Sequence, residues 1–319
     1  MNTDCRIMNT DTDTDTDTDT EAEAEAEAEA EAEAGRVTEA DTGTRTSPGS
    51  GTDAAPAAGR RTAVVTGAAR GIGAAVADRL AADGWLVVAV DICRDLPGVG
   101  YPLGTDKELD ALAERHPGAV LPVVADVRDR SALQDAVDLA YRHGGGRLDA
   151  AVAAAAVMAG GRPLWETTDD EWDALFETGV RGVANLARAA VPRMLAGPAP
   201  RTGRFVALAS AAAHHGLWHL AGYNAAKHAV VGLIRGLAAD LRGTGVTATA
   251  VSPGSTRTPM LRASADLYGL ADTDEFARHQ LLERLLEPEE VAAAVCWLCG
   301  PDASALTGTV VHADGGFTP

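Results

Sequence analysis

The 319-residue chain is 46% hydrophobic but only 4% aromatic, and its formal net charge is −19. Residues 1–60 hold sixteen acidic residues and four arginines and so carry −12 of that charge, which leaves −7 for residues 61–319. This balance argues against nucleic acid as a partner, the lack of a strictly apolar run of eighteen residues argues against a membrane span, and four scattered cysteines suit a reducing cytoplasm.

The first sixty residues read as Asp-Thr repeats from Asp11, Glu-Ala repeats from Glu21 to Ala34, and then a Gly/Thr/Pro/Ala stretch up to Arg60. Like charges crowd any helix this segment would form, and it offers no apolar face to bury. The expectation is a disordered acidic tail over 1–60 ahead of one domain over 61–319. The tail has neither the basic start nor the apolar centre of a signal peptide.

From Arg61 onward, short apolar runs alternate with longer helical patterns. Runs at 63–66, 86–91, 120–125, 148–154, 204–208, 247–251 and 309–312 predict seven strands. Helices are predicted over 71–83, 106–115, 131–142, 170–194, 223–242 and 288–299. Continuously apolar strands separated by helices pair in parallel and are covered on both faces. The expected fold is a doubly wound parallel α/β sheet, whose ligands sit beyond the carboxyl ends of the strands.

Thr66-Gly67-Ala68-Ala69-Arg70-Gly71-Ile72-Gly73 follows the first strand and opens the first helix. Gly67 permits the tight turn. Gly71 and Gly73 remove side chains where a pyrophosphate approaches backbone N–H groups, and Arg70 and Ile72 lie inside the same loop. Asp91 ends the second strand, where a carboxylate accepts from a ribose diol and repels a 2′-phosphate; this points to NAD rather than NADP. Asp126 and Val127 follow the third strand, placed either to flank the adenine or to cap the strand end.

Three histidines, His214, His215 and His219, cluster further on without carboxylate partners nearby. They are expected to line a substrate pocket or sit in an indifferent loop rather than hold a metal, and Trp218 among them suits a pocket wall. Only Lys107 and Lys227 among the 27 basic residues are lysines, and Lys227 stands four residues after Tyr223. That spacing puts both side chains on one helix face, where a cation favours the phenolate and lowers the tyrosine pKa toward acid/base use. Residues 260–286 are leucine-rich (Leu261, Leu267, Leu270, Phe276, Leu281, Leu282) and form either a two-helix lid or plain core; a lid would imply an apolar substrate. Cys296 and Cys299 have metal-ligand spacing but lie in an apolar helical pattern, which reads as a buried face.

Taken together, TGAARGIG (66–73), Ser210, the Tyr223-Lys227 pair and Ser252-Pro253-Gly254 resemble the short-chain dehydrogenase/reductase family over residues 62–317. The segments GGRPLWET (160–167), SPGSTRTPML (252–261) and VHADGGF (311–317) are similar to its mycofactocin-coupled subgroup. The resemblance implies a Rossmann-type fold with Tyr223 as acid/base, Lys227 as its electrostatic partner and ribose ligand, and Ser210 orienting the substrate oxygen. It further implies that Pro253, Gly254 and Thr256 close over the nicotinamide. A segment some ten residues longer than usual, around 93–104, implies a tightly held NAD re-oxidised through the redox carrier mycofactocin.

Two departures from the family pattern stand out. Ala153-Ala154-Ala155-Ala156 replaces Asn-Asn-Ala-Gly, and Gly179 stands where the family carries a catalytic asparagine. The expected activity is NAD-dependent hydride transfer between nicotinamide and an apolar alcohol or carbonyl compound. The alternatives are a non-catalytic NAD-binding or redox-sensing module and an NADPH ketoreductase. Family helices matching 170–194 and 223–242 pair between subunits, so a homodimer or homotetramer is expected.

Overall fold

The computed structural model describes residues 60–317, so the expected acidic tail lies outside the described residues apart from Arg60. Seven strands form one sheet: β1 (Thr62–Thr66), β2 (Leu86–Asp91), β3 (Val120–Val124), β4 (Ala150–Ala153), β5 (Arg204–Leu208), β6 (Thr247–Pro253) and β7 (Val310–Ala313). Their order is β3-β2-β1-β4-β5-β6-β7, and every pairing is parallel. The expected doubly wound, Rossmann-type sheet is therefore present.

Helices α1 (Gly71–Ala82), α2 (Asp106–Arg115) and α8 (Pro288–Cys299) contribute to the core on one face. On the other lie α3 (Arg130–His143), α5 (Gly182–Ala196) and α6 (Ala221–Asp240). Side chains alternate across each strand. Val64, Val88 and Val90 join one core with Leu133, Leu186, Phe205 and Ile234. Ala63, Val65, Val87 and Ala89 join the other with Val76, Leu80, Leu109 and Val295. Each fully buried side chain of this size is worth about 1.5–3 kcal/mol over its exposed state. Cys296 and Cys299 sit within that second core, as the apolar reading of their helix requires, and burial pushes the Cys296 thiol up to about 12.

Two predicted elements differ. The helix expected over 170–194 is broken into α4 (Asp169–Phe176), a π turn (Glu177–Arg181) and α5. Thr168 and Glu171 cap the start of α4 reciprocally. The break falls where Gly179 and Gly182 weaken helix preference, and a π turn absorbs an extra residue. The second lid helix is also absent. After α7 (Pro259–Leu267) the chain forms a 3-10 turn, Thr273–His279, and leaves Leu281 75% and Leu282 53% exposed. Among the described residues no helix is long and apolar enough to cross a membrane.

Candidate active site

The strand order reverses between β1 and β4, which opens a crevice at the carboxyl edge of the sheet. A cavity of about 710 Å³ occupies it. Gly67 takes φ +68, and a Cβ there would lie 2.7 Å from Ala155 Cα. A Cβ on Gly73 would overlap the Gly67 carbonyl oxygen. These contacts bring the backbone against the crevice with no side chain between. Arg70 precedes α1 without a side-chain cap, so the first-turn N–H groups face the cavity uncapped. The alanines at 153–156 are held by backbone: Thr66 Oγ1 accepts from Ala154 N (3.2 Å) and Ala155 N (3.3 Å).

Asp91 is 8% exposed; one carboxylate oxygen accepts from Ala69 N at 2.9 Å and the other from Cys93 N at 3.2 Å. Asp126 also lines the cavity, but two arginines hold its carboxylate. Arg128 Nη2 donates at 2.6 Å and Arg94 Nη2 at 3.1 Å. Burial raises the Asp126 carboxyl, and the Arg128 and Arg94 contacts outweigh it, holding the group below the usual carboxylate range. Val127 is buried beside it, where α5 begins, and Asn185 Nδ2 of α5 donates to the Val127 carbonyl at 3.0 Å.

The expected chemical residues converge. Ser210 lies just beyond β5, Tyr223 and Lys227 lie on α6, and all three line the cavity. Ser210 Oγ accepts from Ala212 N at 3.1 Å, which leaves its proton free to donate. Lys227 Nζ donates to the Leu208 carbonyl at 2.9 Å and stands 5.7 Å from the centre of the Tyr223 ring. The anticipated lowering of the tyrosine pKa is not what this pocket produces. Burial pushes Tyr223 up to about 12, partly offset by the neighbouring Ser210 hydroxyl, and burial pushes Lys227 down to about 8. Desolvation penalises the charged form of each. Pro253, Gly254 and Thr256 line the cavity at the end of β6.

Several cavity residues escaped the sequence reading. Tyr101, from the long segment after β2, is half-buried and lines the cavity, and its hydroxyl accepts from Met158 N at 3.1 Å. The segment's length signalled an addition, but not where its one tyrosine would point. Gly104 of that segment packs on the Asp91 carboxylate, and Arg70 donates to the Pro102 carbonyl. Thr178, in the π turn, is 6% exposed, lines the cavity and has a hydroxyl without a partner. Beside it, a Cβ added to buried Gly179 would meet nothing within 4 Å. The histidines do not line the cavity, although Gly216, Leu217 and Trp218 between them do. Tyr268 donates from its hydroxyl to the Trp218 carbonyl at 2.7 Å and packs edge-on to Phe276, making an aromatic outer wall.

A family model described as enoyl-(acyl carrier protein) reductase matches residues 67–318. The chain is 35% identical to a (−)-trans-carveol dehydrogenase of Rhodococcus erythropolis, over 80% of this chain and 96% of that protein. A solved short-chain dehydrogenase from Mycobacterium paratuberculosis bound to NAD superposes with a TM-score of 0.72 at 32% identity, covering 80% of this chain and 97% of the other. A carveol dehydrogenase from Mycobacterium avium in complex with NAD gives a TM-score of 0.75 at 29% identity, covering 81% and 98%.

Proposed function

The chain belongs to the short-chain dehydrogenase/reductase family, and from that premise we propose that it is an NAD-dependent oxidoreductase interconverting an apolar alcohol and its carbonyl compound. The observation that carries this reading is the meeting of Ser210, Tyr223 and Lys227 in the cavity that also contains the glycine loop and Asp91. Gly67, Arg70, Gly71, Ile72 and Gly73 would hold the pyrophosphate, Asp91 the ribose diol, and Asp126 with Val127 the adenine side. Lys227, Pro253, Gly254 and Thr256 would hold the nicotinamide end. The arginines a 2′-phosphate would need are engaged, Arg70 by the Pro102 carbonyl and Arg94 by Asp126, which supports NAD over NADP. When bound, the nicotinamide supplies the hydride transfer.

This chain's residues move the proton. In reduction the Tyr223 O–H bond breaks and its proton passes to the substrate oxygen, which Ser210 orients by donation. The raised Tyr223 value keeps that proton on the phenol at neutral pH. Oxidation needs the phenolate instead, so alcohol oxidation should accelerate as pH rises from neutral and should not level off below about 12. Tyr223→Phe should cut kcat by roughly 10²–10⁴-fold with NADH affinity unchanged; full turnover in that variant would remove the proposed role.

The segment over 93–104 supports a cofactor that leaves slowly. It is joined to the phosphate loop through Arg70 and Pro102 and to the segment after β4 through Tyr101 and Met158. On this reading, mycofactocin is the re-oxidant. Native mass spectrometry of the purified protein should show retained NAD; an empty protein with fast NAD exchange would count against it. Homo-oligomerisation is part of the proposal, with half-exposed Trp172 on α4 at the contact, as is a cytoplasmic setting for the free thiols of Cys93, Cys296 and Cys299.

A further inference from the structure

One histidine of the cluster has a defined partner away from the cavity. His214 ends the short turn that Ser210 begins, and its Nε2 lies 2.9 Å from Ser252 Oγ. Ser252 is fully buried on β6, directly ahead of Pro253 and Gly254. In the sheet Ser252 is paired with His312 of β7, and the His312 ring lies 4.6 Å from that of His214. His312 Nδ1 in turn lies 3.3 Å from Asp314 Oδ2, and the Asp314 backbone carbonyl packs against Gly254. The two turns that wall the reacting end of the cavity are thus joined behind it by one side-chain contact.

We propose that His214 is a positioning residue: its neutral imidazole ties the Ser210 turn to the Ser252-Pro253-Gly254 turn and so holds the spacing between substrate-orienting and nicotinamide-side groups. The proposal rests on the oxidoreductase reading of the cavity. A neutral imidazole offers one donor and one acceptor, and a serine hydroxyl answers either. An imidazolium at His214 would lie among other basic side chains. His215 adjoins it on its own segment, His228 and Arg235 approach from α6, and His312 approaches from β7. The acid of this group, Asp314, is engaged by His312. Burial first, and then these neighbours, hold His214 below the ordinary histidine value. The sign follows: the tie is intact at neutral and higher pH, and it is lost as pH falls through that lowered value.

The test uses the full-length protein with NAD and cyclohexanol as the probe alcohol, comparing wild type with His214→Gln, His214→Ala, Ser252→Ala and the His214→Ala/Ser252→Ala pair. His214→Ala should raise KM for the alcohol and lower kcat, together roughly tenfold in kcat/KM, the scale of one well-placed hydrogen bond. It should also weaken NADH binding followed by fluorescence. Ser252→Ala should do the same, and the double variant should be no worse than either single one. His214→Gln, which keeps a donor but cannot titrate, should stay within about threefold of wild type and, in cyclohexanone reduction by NADH, where Tyr223 stays protonated over the whole acid range, should lose the acid-side fall in kcat/KM that wild type shows. The proposal is overturned if His214→Ala changes only the melting temperature. It is equally overturned if His214→Gln keeps the wild-type acid midpoint in that reduction, or if the two alanine effects simply add. Full turnover by Tyr223→Phe would instead count against the underlying oxidoreductase reading, so the two failures are distinguishable.

Discussion

The two halves of the sheet meet the cavity by different means. From β1 to β3 the glycine loop presents bare backbone: Gly67 and Gly73 leave no room for a Cβ, and the Ala69 N–H pins the Asp91 carboxylate. From β4 to β7 the walls are side chains: Ser210, Tyr223 and Lys227, and then the aromatic row of Trp218, Tyr268 and Phe276. Irregular pieces occur in both halves, Cys93 at φ 51 in the first and the π turn and His219 at φ 57 in the second. A backbone cradle has one geometry and suits an invariant phosphate. A side-chain wall can be rebuilt residue by residue and suits a substrate that differs among relatives.

The largest effect that would break this contrast lies in the first half. Gly73→Ala should destabilise the fold by about 1–3 kcal/mol through overpacking and should abolish measurable NADH binding by calorimetry. A variant that binds NADH normally would mean the cradle is adjustable after all. Tyr268→Phe, in the second half, should be milder. Losing the 2.7 Å bond to the Trp218 carbonyl should raise KM for the alcohol about three- to tenfold and leave NADH affinity unchanged in the same fluorescence titration. An equal loss of NADH affinity would merge the two halves into one unit. The smallest effect is expected in the π turn of the second half. Thr178→Val replaces a buried, unpartnered hydroxyl by an isosteric methyl and should raise the unfolding free energy by about 1 kcal/mol in a denaturant titration. A destabilised variant would show that the hydroxyl has a partner in solution.

The regular elements were legible because their causes are local. Apolar runs of β2 and β5 ended where strands end, and Tyr223 and Lys227 came to one face because four residues make little more than one helical turn. The glycine loop was legible for the same reason, since what matters there is the missing side chain. The second lid helix was misread because Leu281 and Leu282 carry a helical spacing that nothing beneath them rewards. Leu281 and Leu282 face outward, and the chain takes a 3-10 turn instead.

Residue spacing along the chain was enough for the strand-helix alternation, the backbone cradle and the choice of the proposed reacting groups. Packing between segments distant in the chain settled the rest. It raised Tyr223 and depressed Lys227, because desolvation depends on everything that surrounds a group rather than on its neighbour one turn away. It also turned Asp126 to its arginines, brought Tyr101 over the cavity and set His214 against Ser252, thirty-eight residues further along the chain.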